Sequence, residues 1–467
     1  MDELYGFQRV GVRFLTQTRR ALLCDDMGLG KTAQAILASL STGAGRVLVV
    51  CPNTLKGNWE AEINKWAPGE HVSVLRGSPG KKRRIVEEYK RGYMIVNIES
   101  MRRPNISEKR RILYVAINSL LIIPWDVLIV DEAHSVKNRE SAQTKGVQEL
   151  AMKTGSVYLL TGTPIMNRVD ELWSPLHILR PRRYPSFWSF VRRHAIVYKE
   201  MIKVYSKSGK AYVTRAVYKI DGKPIRPEEL RMDIAPLFLR REKEEVFPEM
   251  PPKVYQKVWL EMGAAQSRIY REVEKKALAQ IGDDTTLNIP GILARLTRCK
   301  QVAVSPRLVG GNPESVKFDA LMDIIRGTDR KVVVFSQFAE AIKLVSAILN
   351  EEGIGHAVLI GEIKEEGRNE AINAFQTSAD VRVFLATVQA GGSGINLTAA
   401  SLVVFLDKHW TPAVNEQAVD RTRPHMQTRS VQIIDLLCRD TVDEMIEDVL
   451  AGKASIVEAV IKRKKET

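Results

Sequence analysis

At 467 residues, with 45% apolar residues and a formal net charge of +15, the chain exceeds what one hydrophobic core fills, so two domains with insertions are expected. An excess of Lys and Arg favours a polyanionic partner, because each phosphate contact releases condensed counterions. A membrane partner is not expected: the longest apolar stretch, residues 120–123 and then 127–130, is broken by Pro124 and Asp126. The acidic start Met1-Asp2-Glu3 lacks the features of a secretory signal. Cys24, Cys51, Cys299 and Cys438 form no CxxC pair, which argues against a zinc site or a disulfide framework and for a reducing compartment.

In chain order, the apolar Ala21-Leu22-Leu23 opens onto Asp25-Asp26-Met27-Gly28-Leu29-Gly30-Lys31-Thr32 and then a helical pattern over 33–40. Glycines let backbone N–H groups close around phosphates, and the helix N-terminus adds positive potential. Lys31 would neutralise the β and γ oxygens, and Thr32 would offer Mg²⁺ a hydroxyl. The pattern is a P-loop. Short β-branched runs at 47–50, 94–96, 127–130 and 157–160 alternate with helical segments, which predicts a mainly parallel α/β sheet with ligands beyond the carboxyl ends of its strands. Asp131-Glu132-Ala133-His134 follows such a strand. There Asp131 would hold Mg²⁺ through water, and Glu132 would orient and deprotonate the attacking water.

Residues 180–226 carry 13 Lys or Arg against only Glu200 and Asp221, with eight aromatics interleaved. Two readings stand: a brace over DNA, with Arg192, Arg193, Lys207 and Lys210 on phosphates, or a small insertion with an aromatic core and a solvated basic face. Helical stretches are expected over 261–280 and 293–302. A second α/β pattern follows, with strands at 332–335, 381–385 and 402–406, and a basic tail at 462–465. The expected organisation is lobe 1 over 1–178, a basic aromatic insertion and inter-lobe segment over 179–253, a helical insertion over 254–314 and lobe 2 over 315–467.

The order of motifs resembles that of Swi/Snf-type ATPases, a branch of the superfamily-two helicases. Phe7-Gln8 precedes the P-loop, and Cys51-Pro52-Asn53-Thr54-Leu55 with Asn58-Trp59 follows it. Then come Asp131 to His134 with Lys137-Asn138, Leu160-Thr161-Gly162-Thr163-Pro164 with Asn167, and Glu171-Leu172-Trp173. Leu239-Arg240-Arg241 with Lys243 is similar to the family's inter-lobe segment. Val334-Phe335-Ser336-Gln337, Ala390-Gly391-Gly392-Ser393-Gly394-Ile395-Asn396-Leu397 and Gln417-Ala418-Val419-Asp420-Arg421 complete the set.

The resemblance implies two RecA-like lobes in tandem with mainly helical, basic insertions, working on duplex DNA with ATP and Mg²⁺. It implies that Gln8 reads adenine, that Asp26, Met27, Gly28, Leu29, Gly30, Lys31, Thr32 and Gly394 face the nucleotide, and that His134 couples this site to Thr161 and Thr163. Arg421 would be the arginine finger, with Arg423 beside it. DNA phosphates would meet Pro52, Asn53, Thr54, Lys56, Ser100, Ser336, Gln337 and Thr387. Such contacts read no bases, so tracking would be independent of sequence. A minimal, monomeric motor targeted by DNA structure or a protein partner is the expectation. It would be nucleoid-associated in the cytoplasm of a bacterial or viral source and nuclear in a eukaryote.

The chain departs from the family pattern at Thr411 and, more seriously, at Arg423-Pro424-His425-Met426-Gln427, where proline replaces the finger motif's second arginine. On a helix, Arg423 would point about 100° away from that position. Two alternatives therefore stay open: an ATP-gated DNA-binding module with attenuated hydrolysis, and a strand-separating or annealing helicase. Restoring arginine at 424 distinguishes the first. On the motor reading, Pro424→Arg leaves DNA-stimulated phosphate release at the parent rate, whereas a gain of about 10³-fold would mean an attenuated site.

Overall fold

A computed structural model describes residues 4–102, 115–162, 168–205, 212–283, 289–363, 365–391, 395, 397–422 and 430–452. The chain divides into two compact units, Met1–Pro248 and Glu249–Thr467.

In the first unit the strands are β1 (Arg20–Leu23), β2 (Arg46–Cys51), β3 (Val72–Val74), β4 (Gly92–Asn97), β5 (Val127–Val130), β6 (Ser156–Leu160), β7 (Ala195–Tyr205), β8 (Tyr212–Pro224) and β9 (Phe238–Leu239). Seven of them form a parallel sheet in the order β3-β4-β2-β5-β6-β1-β9. The period of two divides the central strands between two cores. Leu48, Val50, Leu128 and Val130 pack on one face, and Val47, Val49, Val127 and Ile129 on the other. Burial on both faces explains why these strands read as unbroken apolar runs.

Arg20 fastens the amino end of the sheet. Its guanidinium donates to the carbonyls of Ala151 and Thr154, at 2.9 and 2.7 Å, and of Ile178 and Leu179, at 2.8 Å each. These lie at the ends of helices Ala142–Lys153 and Val169–Leu179, whose last carbonyls need such donors.

The basic segment is not helical throughout. After the short helix Phe187–His194, β7 and β8 pair as a long antiparallel arm. Val, Ile and Tyr, which favour extended backbone, are frequent in both strands.

The second unit holds β10 (Lys253–Leu260), β11 (Val332–Ser336), β12 (His356–Leu359), β13 (Val383–Thr387), β14 (Leu402–Phe405) and β15 (Val431–Cys438). They form a parallel sheet in the order β10-β15-β14-β11-β13-β12. Residues 253–260, which the sequence groups largely with a helical insertion, form an edge strand that pairs with β15 along its whole length. Helices Ala264–Asp283 and Ile289–Val304 follow, and share with helix Val442–Leu450 a core that includes Tyr270, Leu296, Val302 and Ile446. The four thiols are buried and none is in a disulfide. Burial pushes those of Cys24 and Cys438 up to about 12, which leaves them unreactive.

Buried charge, not only apolar packing, organises the carboxyl end of this second sheet. Lys300 lies 3.3 Å from Asp407, and Lys317 lies 2.7 Å from Asp443, with all four side chains almost fully buried. Burial drives Lys300 below its ordinary value. For Lys317 burial acts the same way and is the largest single influence, but the Asp443 charge and hydrogen bond, with Cys438 and Asp407, together outweigh it and the value rises. Removing one partner of a buried pair strands the other charge, which costs about 3–5 kcal/mol. Asp407→Ala is accordingly expected to lower stability by that amount, seen as a shift of the urea transition. A shift within 1 kcal/mol (roughly the scale of an exposed pair) would show that Lys300 finds water.

Candidate nucleotide site and nucleic-acid surfaces

At the carboxyl end of β1 the chain turns through Cys24 to Gly30 into helix Lys31–Ser41. Gly28 and Gly30 hold φ of +84° and +74°, a conformation that L side chains rarely adopt. Gly30 also has no room: a Cβ there would lie 2.5 Å from Nε2 of Gln8. The Lys31 ammonium donates to the carbonyls of Asp25 at 2.6 Å and Asp26 at 3.1 Å, so it sits inside its own loop. The first turn of the helix has N–H groups with no intrahelical acceptor, the arrangement that receives phosphate oxygens. Gly162 completes one wall, since a Cβ there would clash with the Met27 side chain and come within 3.3 Å of the Lys31 nitrogen. Gln8 is buried with both ends of its amide engaged: Oε1 accepts from the Tyr5 N–H at 3.1 Å, and Nε2 donates to the Leu29 carbonyl at 3.2 Å.

The loop is held from behind by residues that the sequence reading placed in a motif without giving them a role. The Arg241 guanidinium grips the buried Asp25 carboxylate bidentately, with Nε 2.9 Å from Oδ1 and Nη2 on Oδ2. The same guanidinium donates to Gln34 Oε1 at 2.9 Å and to the Phe7 carbonyl. Backbone bonds follow the same path: Cys24 N–H to the Leu239 carbonyl at 2.7 Å, and Asp26 N–H to the Arg241 carbonyl at 3.0 Å. Asp26 Oδ2 in turn accepts from the Lys243 N–H at 3.1 Å, so Asp26 turns toward this segment.

The acidic pair stands at the end of β5. Asp131 accepts from the indole of Trp59 at 2.8 Å on one oxygen and from the Glu132 N–H at 2.9 Å on the other. Burial pushes its carboxyl up to about 6, the Glu132 charge adds to this, and the two hydrogen bonds and Lys31 oppose it. Asp131 is half-buried, and a carboxylate largely shielded from water but ionised at pH 7 is an electrostatic cost that a bound cation would offset, so it suits a metal-binding role, with Thr32 as the candidate hydroxyl. Glu132 sits in the left-handed region at φ +50°, a strained position for a residue with a side chain. His134 Nδ1 lies 3.1 Å from Glu132 Oε2. Thr161 N–H donates to the Leu23 carbonyl at 3.1 Å, so the strand that leads into the P-loop and the segment after β6 share a bond.

The sequence matches two family descriptions: SNF2-related domain over residues 7–308, and Helicase conserved C-terminal domain over 316–424. The chain belongs to the SNF2-related family. It therefore carries the ATPase core of a helicase-like enzyme that uses ATP. Among similar proteins, the "Uncharacterized ATP-dependent helicase MG018" of Mycoplasma genitalium is 26% identical over 99% of this chain and 42% of its own length. The "Putative ATP-dependent helicase/translocase YwqA" of Bacillus subtilis is 27% identical over 98% of this chain and 49% of its own length. The chain thus spans about half or less of these curated relatives. Among solved structures, the "Sulfolobus solfataricus SWI2/SNF2 ATPase core in complex with dsDNA" is 27% identical, covering 98% of this chain and 93% of that one, with a TM-score of 0.43.

Several DNA candidates of this SNF2-related chain do not face solvent. Lys56 is buried and its ammonium donates to the Leu75 carbonyl at 3.0 Å. Ser336 is buried against Asp407, and Gln337 gives its side-chain amide to Asp407 at 2.9 Å and to the Lys408 carbonyl at 2.8 Å. Thr387 is also buried. These residues shape their loops from within, because a polar group at the end of a buried strand must find an acceptor inside the lobe. Asn53 and Thr54 are exposed and Pro52 is half-buried. Ser100 donates to Asn97 Oδ1 at 2.6 Å, closing the turn after β4. Arg192 and Arg193 are both exposed, and Arg193 pairs with Glu229. Arg421 follows helix Pro412–Val419, and its carbonyl accepts from the Leu397 N–H at 2.8 Å. Thr163, Gly394, Arg423, Pro424, Lys207 and Lys210 lie outside the described residues.

Arg241→Ala would leave the buried Asp25 without its counter-charge. The expected loss is about 3–5 kcal/mol of stability, together with weakened ATP binding, although Arg241 is assigned no nucleotide contact. Arg241→Lys rescues little, because an ammonium cannot reproduce the bidentate fork. Calorimetric melting with and without ATP checks both, and an unchanged melting temperature in Arg241→Ala would remove the brace.

Proposed function

We propose that the chain is a motor that hydrolyses ATP to move along duplex DNA without reading its sequence. The observation that carries this is Lys31 held inside a glycine loop at the end of β1, with Asp131 at the end of β5 and its neighbour Glu132 held by strained backbone beside His134. Lys31, Thr32 and the first-turn N–H groups bind and orient the phosphates. Mg²⁺, on Thr32 and Asp131, would supply positive charge on the phosphate oxygens. Glu132 takes the proton of the attacking water, and His134 holds that carboxylate in position. Gln8 presents an amide to the adenine, Thr161 and Thr163 relay the state of the site, and Arg421 supplies transition-state charge.

Duplex DNA as the track is supported by the basic excess and by the printed names of relatives as helicases and a translocase. Asn53, Thr54 and Ser100, at the carboxyl ends of β2 and β4, suit phosphate contacts, which position a protein without selecting bases. Phosphate release should then rise on duplexes of unrelated sequence alike and fall with salt, by about 0.9 in log–log slope for each phosphate contacted. Glu132→Gln is expected to keep ATP affinity while losing about 10²–10⁴ in turnover, whereas Lys31→Ala loses ATP affinity itself. Parent-rate hydrolysis by Glu132→Gln would sink these assignments.

A further inference from the structure

Among the described residues, the contacts that anchor the β7–β8 arm lie at its base. Val197 and Ile220 pack on the first-unit core, the Ile225 N–H donates to the His194 carbonyl at 2.9 Å, and Arg168 donates to the Ile220 carbonyl at 3.4 Å. Beyond that base, large apolar side chains stand in solvent: Tyr198 is 49% exposed, Tyr218 54% and Met201 60%. A two-stranded ribbon has no interior of its own in which to bury them.

The register sets one Lys against one Tyr on each face of the arm. Lys199 opposes Tyr218, and these share one face with Met201 and Ala216; Tyr198 opposes Lys219, and these share the other with Glu200 and Val217. Each face therefore has an ammonium opposite a phenol ring, and the face of Tyr198 and Lys219 also carries Glu200. Lys219 also pairs with Glu200, but both groups are about half exposed, and a phosphate displaces such a pair at little cost. The Tyr218 ring is steadied at its edge by Trp188, with centroids 6.0 Å apart.

A cation beside an aromatic plate suits a nucleotide whose base face is open, the ammonium meeting the phosphate and the ring stacking on the base. Bases within a duplex show only their edges, in the grooves. A plate finds a base face only where pairing is broken, and a ribbon with such a plate on both faces fits two strands that part. We infer that the arm is a pin for DNA junctions, with one separated strand passing along each of its faces. This rests on the duplex-motor reading and adds the class of DNA structure that the motor prefers: duplex opening into two single strands.

The test compares forked DNA, bearing two unpaired arms, with blunt duplex of equal length, by nucleotide-free binding and by ATPase stimulation. It uses the full chain, the double variant Tyr198→Ala/Tyr218→Ala and the double variant Tyr198→Phe/Tyr218→Phe. The parent should bind the fork at least about tenfold more tightly than the duplex, on the scale of one lost stacking contact. The alanine variant should lose that preference with duplex binding and duplex-stimulated ATPase unchanged, and the phenylalanine variant should keep it. A parent indifferent to the fork, a preference surviving in the alanine variant, or equal weakening on both DNAs would each overturn the pin. Failure of the motor itself would read differently, as a parent whose hydrolysis no duplex stimulates, whatever the fork binding shows.

Discussion

The first unit depends on a carboxylate taken out of water. Asp25 lies at the start of the phosphate loop with no solvent exposure, and a buried charge is tolerable only when it is paired and hydrogen-bonded. Arg241, more than two hundred residues later, provides both, and its remaining N–H groups reach Phe7 and Gln34. One guanidinium thus joins the segment before Gln8, the phosphate loop, the helix behind it and the chain leaving the unit. A loop that must hold two glycines at positive φ has little intrinsic preference for its native shape. The ion pair makes that shape the one with the fewest unsatisfied groups.

The same logic operates at the carboxyl end of the second sheet. Asp407 gathers Ser336, Gln337 and Lys300, and Asp443 holds Lys317 and the Cys438 N–H. Loops that would meet DNA or nucleotide are therefore braced by charges that do not meet the ligand. Precision in such loops comes from what lies beneath them, because a contacting residue left on a free loop would lose its geometry to chain entropy. Asp131 shows the complementary device. Its two hydrogen bonds and the Lys31 charge do not fully offset burial and the repulsion of Glu132, and the residual cost makes the position receptive to a cation.

The sequence by itself determined the features whose physics is local. Unbroken apolar runs at 47–50, 127–130, 332–335 and 402–406 could be satisfied only by strands buried on both faces, and a glycine-rich turn between a strand and a helix could only present N–H groups at a helix end. Asp131 and Glu132 were legible because they follow such a strand directly. Tertiary structure alone decided which polar residues look outward. Lys56, Ser336 and Thr387 carry phosphate-binding chemistry in their side chains, yet burial commits them to the lobe, and no property of their neighbours in sequence records that. The roles of Arg241 and Trp59 were hidden for the same reason, since their partners Asp25 and Asp131 are 216 and 72 positions away. The Lys–Tyr pair on each face of the basic arm likewise appears only once the register sets Lys199 against Tyr218 and Tyr198 against Lys219, because pairing between strands depends on where the chain turns back and not on composition.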